Sequence, residues 1–355
     1  MPTQPFDIPR IERKPVVEPG SFLFAAVSID HRHIYNITKE LFKTGAQVAW
    51  VYDRDPEKAA EYARTFPQAR IARCEQEVLD DPAITLVVST AIPSRRYQIG
   101  LRVLAAGKDF LSDKPPFITQ EALEETRAMV RKTGGRYFAC YGERLYVECV
   151  TMAKCLIDRG EIGRVLHVTS TGPHRLAIHT RPDWFFKREE YGGILGDIGT
   201  HQIDQYLYLC GETDAEIVSS HIGNFGNPNH PGLEDFGEAL LRGKNGSTGY
   251  FNVDWFTPEA LGAWSDSRTL ITGTEGILEL RKYTDIGRES IGDQVFLANK
   301  RVEVHVDARN TVGYSYFYDL VLDCIHRTEQ AMPMDYMFRV AELSMEAQRR
   351  AIRVG

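Results

Sequence analysis

Residues 22–53 read FLFAAVSIDHRHIYNITKELFKTGAQVAWVYD, and this stretch decides the fold. An apolar run over residues 22–29 precedes a helical pattern over 33–44, and a second apolar run follows over 47–52. Short apolar runs on either side of a helix predict two parallel strands joined by a crossover helix. The chain therefore opens with one strand–helix–strand unit.

The same alternation continues to residue 140. It predicts helices over 56–66, 75–79, 94–106 and 119–133 and strands over 69–72, 85–89, 109–111 and 136–140. This order is typical of an α/β, doubly wound parallel sheet with helices on both faces. We predict a Rossmann-like dinucleotide-binding domain over residues 21–140, preceded by an extended, proline-rich arm over residues 1–20.

Beyond residue 140 the pattern changes to hairpins. Turn-forming runs such as Gly243-Lys244-Asn245-Gly246 separate short apolar runs, which favours antiparallel pairing. We predict an α+β domain over residues 141–355 with a large, open, mostly antiparallel sheet, whose last helices are placed to pack back on the first domain. Its predicted helices are 147–158, 200–209, 314–327 and 340–353, and its predicted strands are 215–222, 235–241, 248–255, 267–272, 276–280, 294–297 and 302–306.

Composition excludes several functions. The chain has 355 residues and a formal charge of −7 without a long basic run, which argues against nucleic acid and anionic membranes as partners. It has neither a membrane-spanning apolar run nor the residue order of a signal peptide, so we expect a cytoplasmic protein. The six cysteines form no C-x-x-C pair, so we expect reduced thiols and no metal site.

The turn after the first strand departs from a dinucleotide fingerprint. G-x-G-x-x-G would place glycines at 28, 30 and 33, but the turn has Ser28, Asp30 and His33 there. In one interpretation Ser28 supplies a small side chain, and His31, Arg32 and His33 bind the phosphates. In the other the turn is a polar loop that has lost its dinucleotide, since Asp30 places a carboxylate where an anion should dock.

Asp53 ends the second predicted strand, where an acid accepts hydrogen bonds from an adenosine ribose. An acid there favours NAD, whereas the neighbouring Arg54 could bind the 2′-phosphate of NADP. Alternatively, Asp53 caps the following helix. We also assign Thr90 and Pro93, which follow the fourth strand, to the cofactor site.

Two further segments point to chemistry. Lys114 follows the fifth predicted strand within Asp113-Lys114-Pro115-Pro116, at the sheet edge where ligands bind, and the proline pair permits a cis peptide. Asp197 and His201 stand four residues apart, so on one helical turn the carboxylate can orient the imidazole as a general base. The alternatives are a surface lysine and a surface helix pair.

Three blocks together resemble the Gfo/Idh/MocA family of oxidoreductases. Asp113-Lys114-Pro115 is similar to its E-K-P, and residues 142–165 resemble its N-x-R followed by a helix and G-x-I-G-x-V. Residues 191–204, YGGILGDIGTHQID, resemble its G-G-G-x-x-x-D-x-G-x-H-x-x-D block. The chain departs from the family pattern in three places. The turn after the first strand lacks the glycines, Asp113 stands where the family has a glutamate, and Arg96 stands near a position where many members have a histidine.

The resemblance implies that Lys114, Asp197 and His201 are catalytic and that Asp53 contacts the cofactor. It implies NAD-linked, or NADP-linked, oxidation of a sugar, polyol or sugar-acid hydroxyl. His201 would take the proton, Lys114 would stabilise the alkoxide, and Asp197 would hold His201 or the neighbouring hydroxyl. It also implies a homodimer or homotetramer formed through the second sheet.

The predicted substrate contacts are Arg144, Asp197 and His201, together with His174 and Trp184 from the loop over residues 173–184. His174 and Trp184 suit a sugar, which presents hydroxyls around an apolar ring face, while the arginines of this loop suit a sugar acid. The alternative is a solvated loop with one core tryptophan. Two other functions stay open: a redox-neutral lyase or glycosidase that retains NAD, and a non-catalytic sugar or nucleotide sensor.

Overall fold

The computed structural model describes residues 11–288 and 291–355 and contains two β-sheets. The first sheet is formed by β1 (Leu23–Val27), β2 (Gln47–Tyr52), β3 (Arg70–Ile71), β4 (Ile84–Ser89), β5 (Asp109–Asp113) and β6 (Tyr137–Cys140). Its helices are α1 (His33–Lys43), α2 (Pro56–Thr65), α3 (Glu75–Asp80), α4 (Pro93–Ala105) and α5 (Gln120–Thr133).

All strand pairs of the first sheet are parallel, in the order β3-β2-β1-β4-β5-β6. Every residue of β5 and β6 is buried, as expected for parallel strands covered on both faces. The strand order reverses between β1 and β4, which opens a crevice at their carboxyl ends. The predicted doubly wound sheet is confirmed.

The second sheet has nine strands in the order β14-β13-β12-β11-β7-β10-β9-β8-β15. These are β7 (Val165–Pro173), β8 (Ala215–Gly223), β9 (Phe236–Gly243), β10 (Thr248–Asp254), β11 (Arg268–Gly273), β12 (Gly276–Arg281), β13 (Gln294–Asn299), β14 (Glu303–Asp307) and β15 (Ile352–Arg353). Only β7 with β10 and β8 with β15 pair in parallel among the described strands. The prediction of a mostly antiparallel sheet is confirmed.

In the described part of the chain, seven α-helices accompany this sheet: α6 (Gly142–Leu145), α7 (Glu148–Asp158), α8 (Arg188–Tyr191), α9 (Ile194–Asp197), α10 (Gly199–Cys210), α11 (Tyr316–His326) and α12 (Met334–Arg350). The predictions are wrong at one strand and at both ends of the last helix, because residues 352–353 form β15 and not helix. The sequence did not predict the central strand β7, because three consecutive polar residues, Thr169, Ser170 and Thr171, weaken its apolar signal. The predicted last helix begins six residues too late, although Met337 and Phe338 are buried in its first turns.

Two segments from outside residues 21–140, the residues just before β1 and helix α11, contact the part of the chain that forms the first sheet. Residues 1–10 of the predicted arm lie outside the described residues, but Val16 N donates to Thr44 O at 2.8 Å, just beyond α1. Tyr316 Oη of α11 donates to Ala139 O of β6 at 2.8 Å. The division into domains over 21–140 and 141–355 stays a prediction. Within the described ranges, no helix has the length and apolarity to cross a membrane.

Candidate functional site

A cavity of about 530 Å³ lies at the carboxyl edge of the first sheet. His31 and His33 after β1, Pro93 of α4 and Lys114 after β5 line one side of it. The helices and loops of the second half of the chain line the other side. Ligands of doubly wound sheets bind at this edge, so the cavity is the candidate site.

Lys114 and Asp197 form a buried ion pair in this cavity. Lys114 Nζ lies 2.8 Å from Asp197 Oδ1 and 3.2 Å from Asp197 O. Burial raises the pKa of Asp197, but the Lys114 ammonium outweighs it and the net pKa lies below the usual range. The Lys114–Pro115 peptide is cis, and Arg96 donates to the carbonyls of both residues.

His201 lies in the same cavity, but not in the predicted pairing. Helix α9 ends at Asp197, α10 begins at Gly199, and the carboxylate turns to Lys114 instead of the imidazole. His201 Nδ1 is buried without a hydrogen-bond partner among the described residues. Burial lowers the pKa of His201 to about 3, so the ring is neutral at pH 7 and can accept a proton.

A buried glutamate, absent from the sequence predictions, completes this wall. Glu143 Oε2 accepts from Lys282 Nζ at 3.1 Å and from Gln202 Nε2 at 3.0 Å. Burial raises the pKa of Glu143, but Lys282, His201 and His174 lower it by more, so that the net pKa is about 2. Glu143 and Lys282 are 139 residues apart, so no local signal connects them.

His174 stands beside this carboxylate. Its Nδ1 lies 3.1 Å from Gly172 O, and its ring lies 4.6 Å from the Trp264 ring. Burial lowers the pKa of His174 to about 4. Trp184 also lines the cavity, so the structure brings both predicted substrate residues of this loop to the site.

Arg144 was predicted to bind substrate, and the structure places it elsewhere. Its Nε and Nη2 atoms donate to the two oxygens of Asp204 at 2.6 and 2.9 Å. Tyr336 of α12 donates to the same carboxylate at 3.0 Å. Arg144 lies outside the cavity lining and joins α6 to α10 and α12, which is a structural role.

The turn after β1 keeps the backbone form of a glycine turn. Ser28 has a φ of +53°, in the left-handed region. Ile29 N donates to Asp53 Oδ2 at 2.7 Å, which ties the turn to the end of β2. Asp55, not Asp53, caps α2 by accepting from Glu57 N, so the alternative interpretation of Asp53 as the cap is wrong.

Asp30 lies across this turn. Its Oδ1 is 2.5 Å from Lys58 Nζ of α2, and its Oδ2 accepts from Ile92 N, before α4, at 3.3 Å. Helices α2 and α4 follow β2 and β4, the two neighbours of β1. The carboxylate therefore bridges the two sides of the crevice.

The other predicted cofactor residues are dispersed. Thr90 exchanges two hydrogen bonds with the main chain of His31, at 3.0 and 2.8 Å. Arg32 is exposed and lies 3.5 Å from Glu61, and Arg54 is exposed. Of the predicted cofactor set, the residues that line the cavity are His31, His33, Pro93 and Lys114.

His31, His33 and Asp113 bring metal-ligating atoms within 4.8 Å of one another. His33 Nδ1 lies 3.0 Å from Asp113 Oδ2, but Arg96 Nη2 lies 3.3 Å from the same oxygen. A guanidinium on the carboxylate opposes a divalent cation. The expectation of no metal site stays a prediction.

Sequence comparisons identify the two halves of the chain. Residues 28–141 match the family described as an oxidoreductase family with an NAD-binding Rossmann fold. Residues 150–279 match the GFO/IDH/MocA C-terminal domain. The chain is 31% identical to levoglucosan dehydrogenase of Pseudarthrobacter phenanthrenivorans over 58% of its own length and 53% of the relative's. The chain thus matches about half of that relative.

Other relatives agree in class. The scyllo-inositol 2-dehydrogenase (NADP⁺) of Bacillus subtilis is 29% identical over 43% of this chain and 42% of its own. A solved protein of Erwinia carotovora atroseptica, classed as an oxidoreductase, is 41% identical, with a TM-score of 0.92 over 94% of this chain and 100% of that one. Levoglucosan dehydrogenase with NADH and levoglucosan is 20% identical with a TM-score of 0.77, covering 93% and 97% of the two chains, and shows the shared fold.

Proposed function

The chain belongs to the Gfo/Idh/MocA family of oxidoreductases, and from this premise we propose that it is an NAD(P)-dependent dehydrogenase. Its substrate is a sugar, polyol or sugar acid, oxidised at a hydroxyl-bearing carbon. The observation that carries the proposal is the meeting of Lys114, Asp197 and His201 in one cavity at the end of β5. Relatives named as sugar and inositol dehydrogenases support the substrate class.

The residues present fit a dinucleotide. The left-handed Ser28 keeps the turn that a glycine would form. Asp53 directly follows β2, where an acid can accept from ribose hydroxyls. Lys58, which is paired with Asp30 in this structure, lies beside the turn after β1 and can neutralise a phosphate. Bound at the crevice, a nicotinamide would supply hydride transfer to or from the substrate carbon.

The side chains of the cavity then divide the remaining work. The neutral imidazole of His201 accepts the proton of the substrate hydroxyl, and the Glu143 carboxylate offsets part of the lowering of the His201 pKa by burial. The ammonium of Lys114 stabilises negative charge that develops on the substrate oxygen. Asp197 holds that ammonium in place, which replaces its predicted contact with His201.

The test is a turnover assay with purified protein, NAD⁺ or NADP⁺, and a panel of sugars, polyols and sugar acids. Appearance of the reduced nicotinamide absorbance with at least one substrate supports the proposal. Calorimetric titration with the oxidised and reduced dinucleotides is the companion measurement. The proposal is contradicted if none of the dinucleotides binds at millimolar concentration.

Two alternatives have distinct signatures. A redox-neutral lyase or glycosidase would consume substrate with no net change in nicotinamide absorbance. A sensor would bind sugar or nucleotide without turnover, and the Asp30–Lys58 bridge across the crevice is the observation that favours it. We further propose a cytoplasmic protein that forms a homodimer or homotetramer through the second sheet, testable by light scattering.

A further inference from the structure

Two buried acceptor atoms face each other on the cavity wall. Glu143 Oε1 lies 3.5 Å from His174 Nε2, and Glu143 is 3% exposed. Glu143 Oε1 has no hydrogen-bond partner anywhere in the described chain. Lys282 and Gln202 both contact the other oxygen, Oε2, so the ion pair leaves Oε1 available.

The tautomer of His174 follows from its other nitrogen. Nδ1 lies 3.1 Å from Gly172 O, and because a carbonyl only accepts, Nδ1 carries the proton. A neutral ring then has a lone pair on Nε2, directed toward the Glu143 carboxylate. Two acceptors at this distance repel each other unless a donor lies between or beside them.

The two arginines among residues 173–184 direct part of their donors to the main chain, while Arg175 Nε has no hydrogen-bond partner in the described chain and lies 3.7 Å from Glu259. Arg175 donates to the main-chain carbonyls of Pro258, Leu261 and Ala263, and Arg181 donates to those of Leu176 and Arg175. Lys114 is paired with Asp197. The Glu143 side of the cavity therefore offers acceptors and negative charge to a ligand, and among the described residues no arginine donates to Glu143 Oε1.

We propose that Glu143 Oε1 and His174 Nε2 form a hydroxyl-accepting subsite that selects uncharged polyhydroxylated substrates over sugar acids. The subsite takes hydroxyl groups other than the one that is oxidised, and it rests on the proposed dehydrogenase function. The carboxylate of a sugar acid bound there would be repelled by the Glu143 carboxylate and by the lone pair of His174 Nε2. A hydroxyl group of a neutral substrate can instead donate a hydrogen bond to either acceptor. Glu143 is thus a specificity residue.

The first experiment compares neutral compounds with their acids in the wild-type enzyme. D-Glucose, D-xylose and myo-inositol are assayed beside D-glucuronate, D-xylonate and D-gluconate, with NAD⁺ and with NADP⁺. We expect the highest kcat/KM with a neutral compound. A sugar acid as the best substrate overturns the subsite but leaves the dehydrogenase standing. Absence of turnover and of dinucleotide binding overturns both.

The second experiment locates the hydroxyl. Deoxy analogues of the best substrate are assayed with wild type, with Glu143→Gln, and with Glu143→Gln/Lys282→Met, which removes both buried charges. In wild type we expect one analogue to lose about tenfold in kcat/KM, mainly through KM. In both variants the difference between that analogue and the parent should become much smaller, because a neutral amide accepts a hydroxyl hydrogen more weakly than a carboxylate does.

The control is Glu77→Gln, which changes a partly exposed carboxylate beside Arg73, outside the cavity lining. It should retain the wild-type ranking of all analogues. A purely structural Glu143 would lower activity toward the parent and every analogue by the same factor. That uniform loss, in the single and the double variant, overturns the proposal.

Discussion

The ammonium nitrogen of Lys114 lies 2.8 Å from Asp197 Oδ1, although the two residues are 83 positions apart in the chain. Lys114 follows β5 of the first sheet, and Asp197 ends α9 of the second half. The ion pair thus connects the two halves of the chain across the cavity. Removing one partner leaves a buried charge unpaired, so variants here affect both chemistry and stability.

The predicted catalytic roles can be tested by truncation. His201→Ala and Lys114→Ala should each lower kcat by about 10²- to 10⁴-fold, because one removes the proton acceptor and the other the charge on the substrate oxygen. Steady-state kinetics provide the measurement, with circular dichroism to verify folding. Turnover within tenfold of wild type in both variants contradicts the assignment.

The sequence predicted what short-range patterns encode. Strand β2 and helix α1 were placed to within a residue because apolar runs and helical spacing are local. The position of Lys114 in the cavity was also predictable, because it directly follows β5 at the sheet edge where ligands bind. Pairings across the fold were beyond reach: nothing near Glu143 indicates Lys282, and nothing near Asp197 indicates that its partner is Lys114 and not His201.

Acid should destabilise the protein through its buried histidines. The pKa values of His201 and His174 are about 3 and 4 in the folded state, below 6.5 in the unfolded chain. Between these values the unfolded state binds more protons, so the free energy of unfolding falls as pH falls below 6.5. By pH 5 each histidine should cost about 2 kcal/mol.

Urea titrations at pH 7 and pH 5 measure this slope. His174→Gln cannot be protonated in this range, so its stability should change less with pH than that of wild type. His326→Gln is the control, because His326 lies at the exposed end of α11. An equal pH dependence in wild type and His174→Gln would show that His174 is not buried in neutral form.

The contact between residues 16–17 and the turn after α1 can be tested at Gly45. This glycine has a φ of +96°, and a Cβ there would lie 2.0 Å from Val17 O. Gly246 has a similar φ of +84° but open space around its Cβ position. Both alanine variants carry the conformational cost of about 1–2 kcal/mol, and only Gly45→Ala adds the clash.

Thermal unfolding of the two variants separates the cost of the clash with Val17 from the conformational cost that both variants share. We expect Gly45→Ala to lower Tm more than Gly246→Ala, since Val16 and Val17 must leave Thr44 to admit the methyl group. Limited proteolysis should then cut Gly45→Ala faster within residues 11–20. Equal Tm values would mean that the segment contributes nothing to stability.

Asp30 should control the affinity for the dinucleotide. A dinucleotide that reaches from Asp53 to Lys114 must cross the turn after β1, and the carboxylate that joins Lys58 to Ile92 N occupies this crossing. Binding therefore requires the carboxylate to leave, and a phosphate can replace it on Lys58. Asp30→Gly should lower the Kd for NADH by about tenfold, because a hydrogen bond to a charged group no longer has to be broken.

Calorimetry with NADH and with AMP distinguishes this bridge from a general effect on the site. AMP reaches the end of β2 without crossing the turn, so its Kd should change little in Asp30→Gly. Lys58→Met should weaken NADH binding, because the phosphate loses its cation while Asp30 keeps the amide of Ile92. Weaker NADH binding by Asp30→Gly would mean that Asp30 supports the bound dinucleotide and does not compete with it.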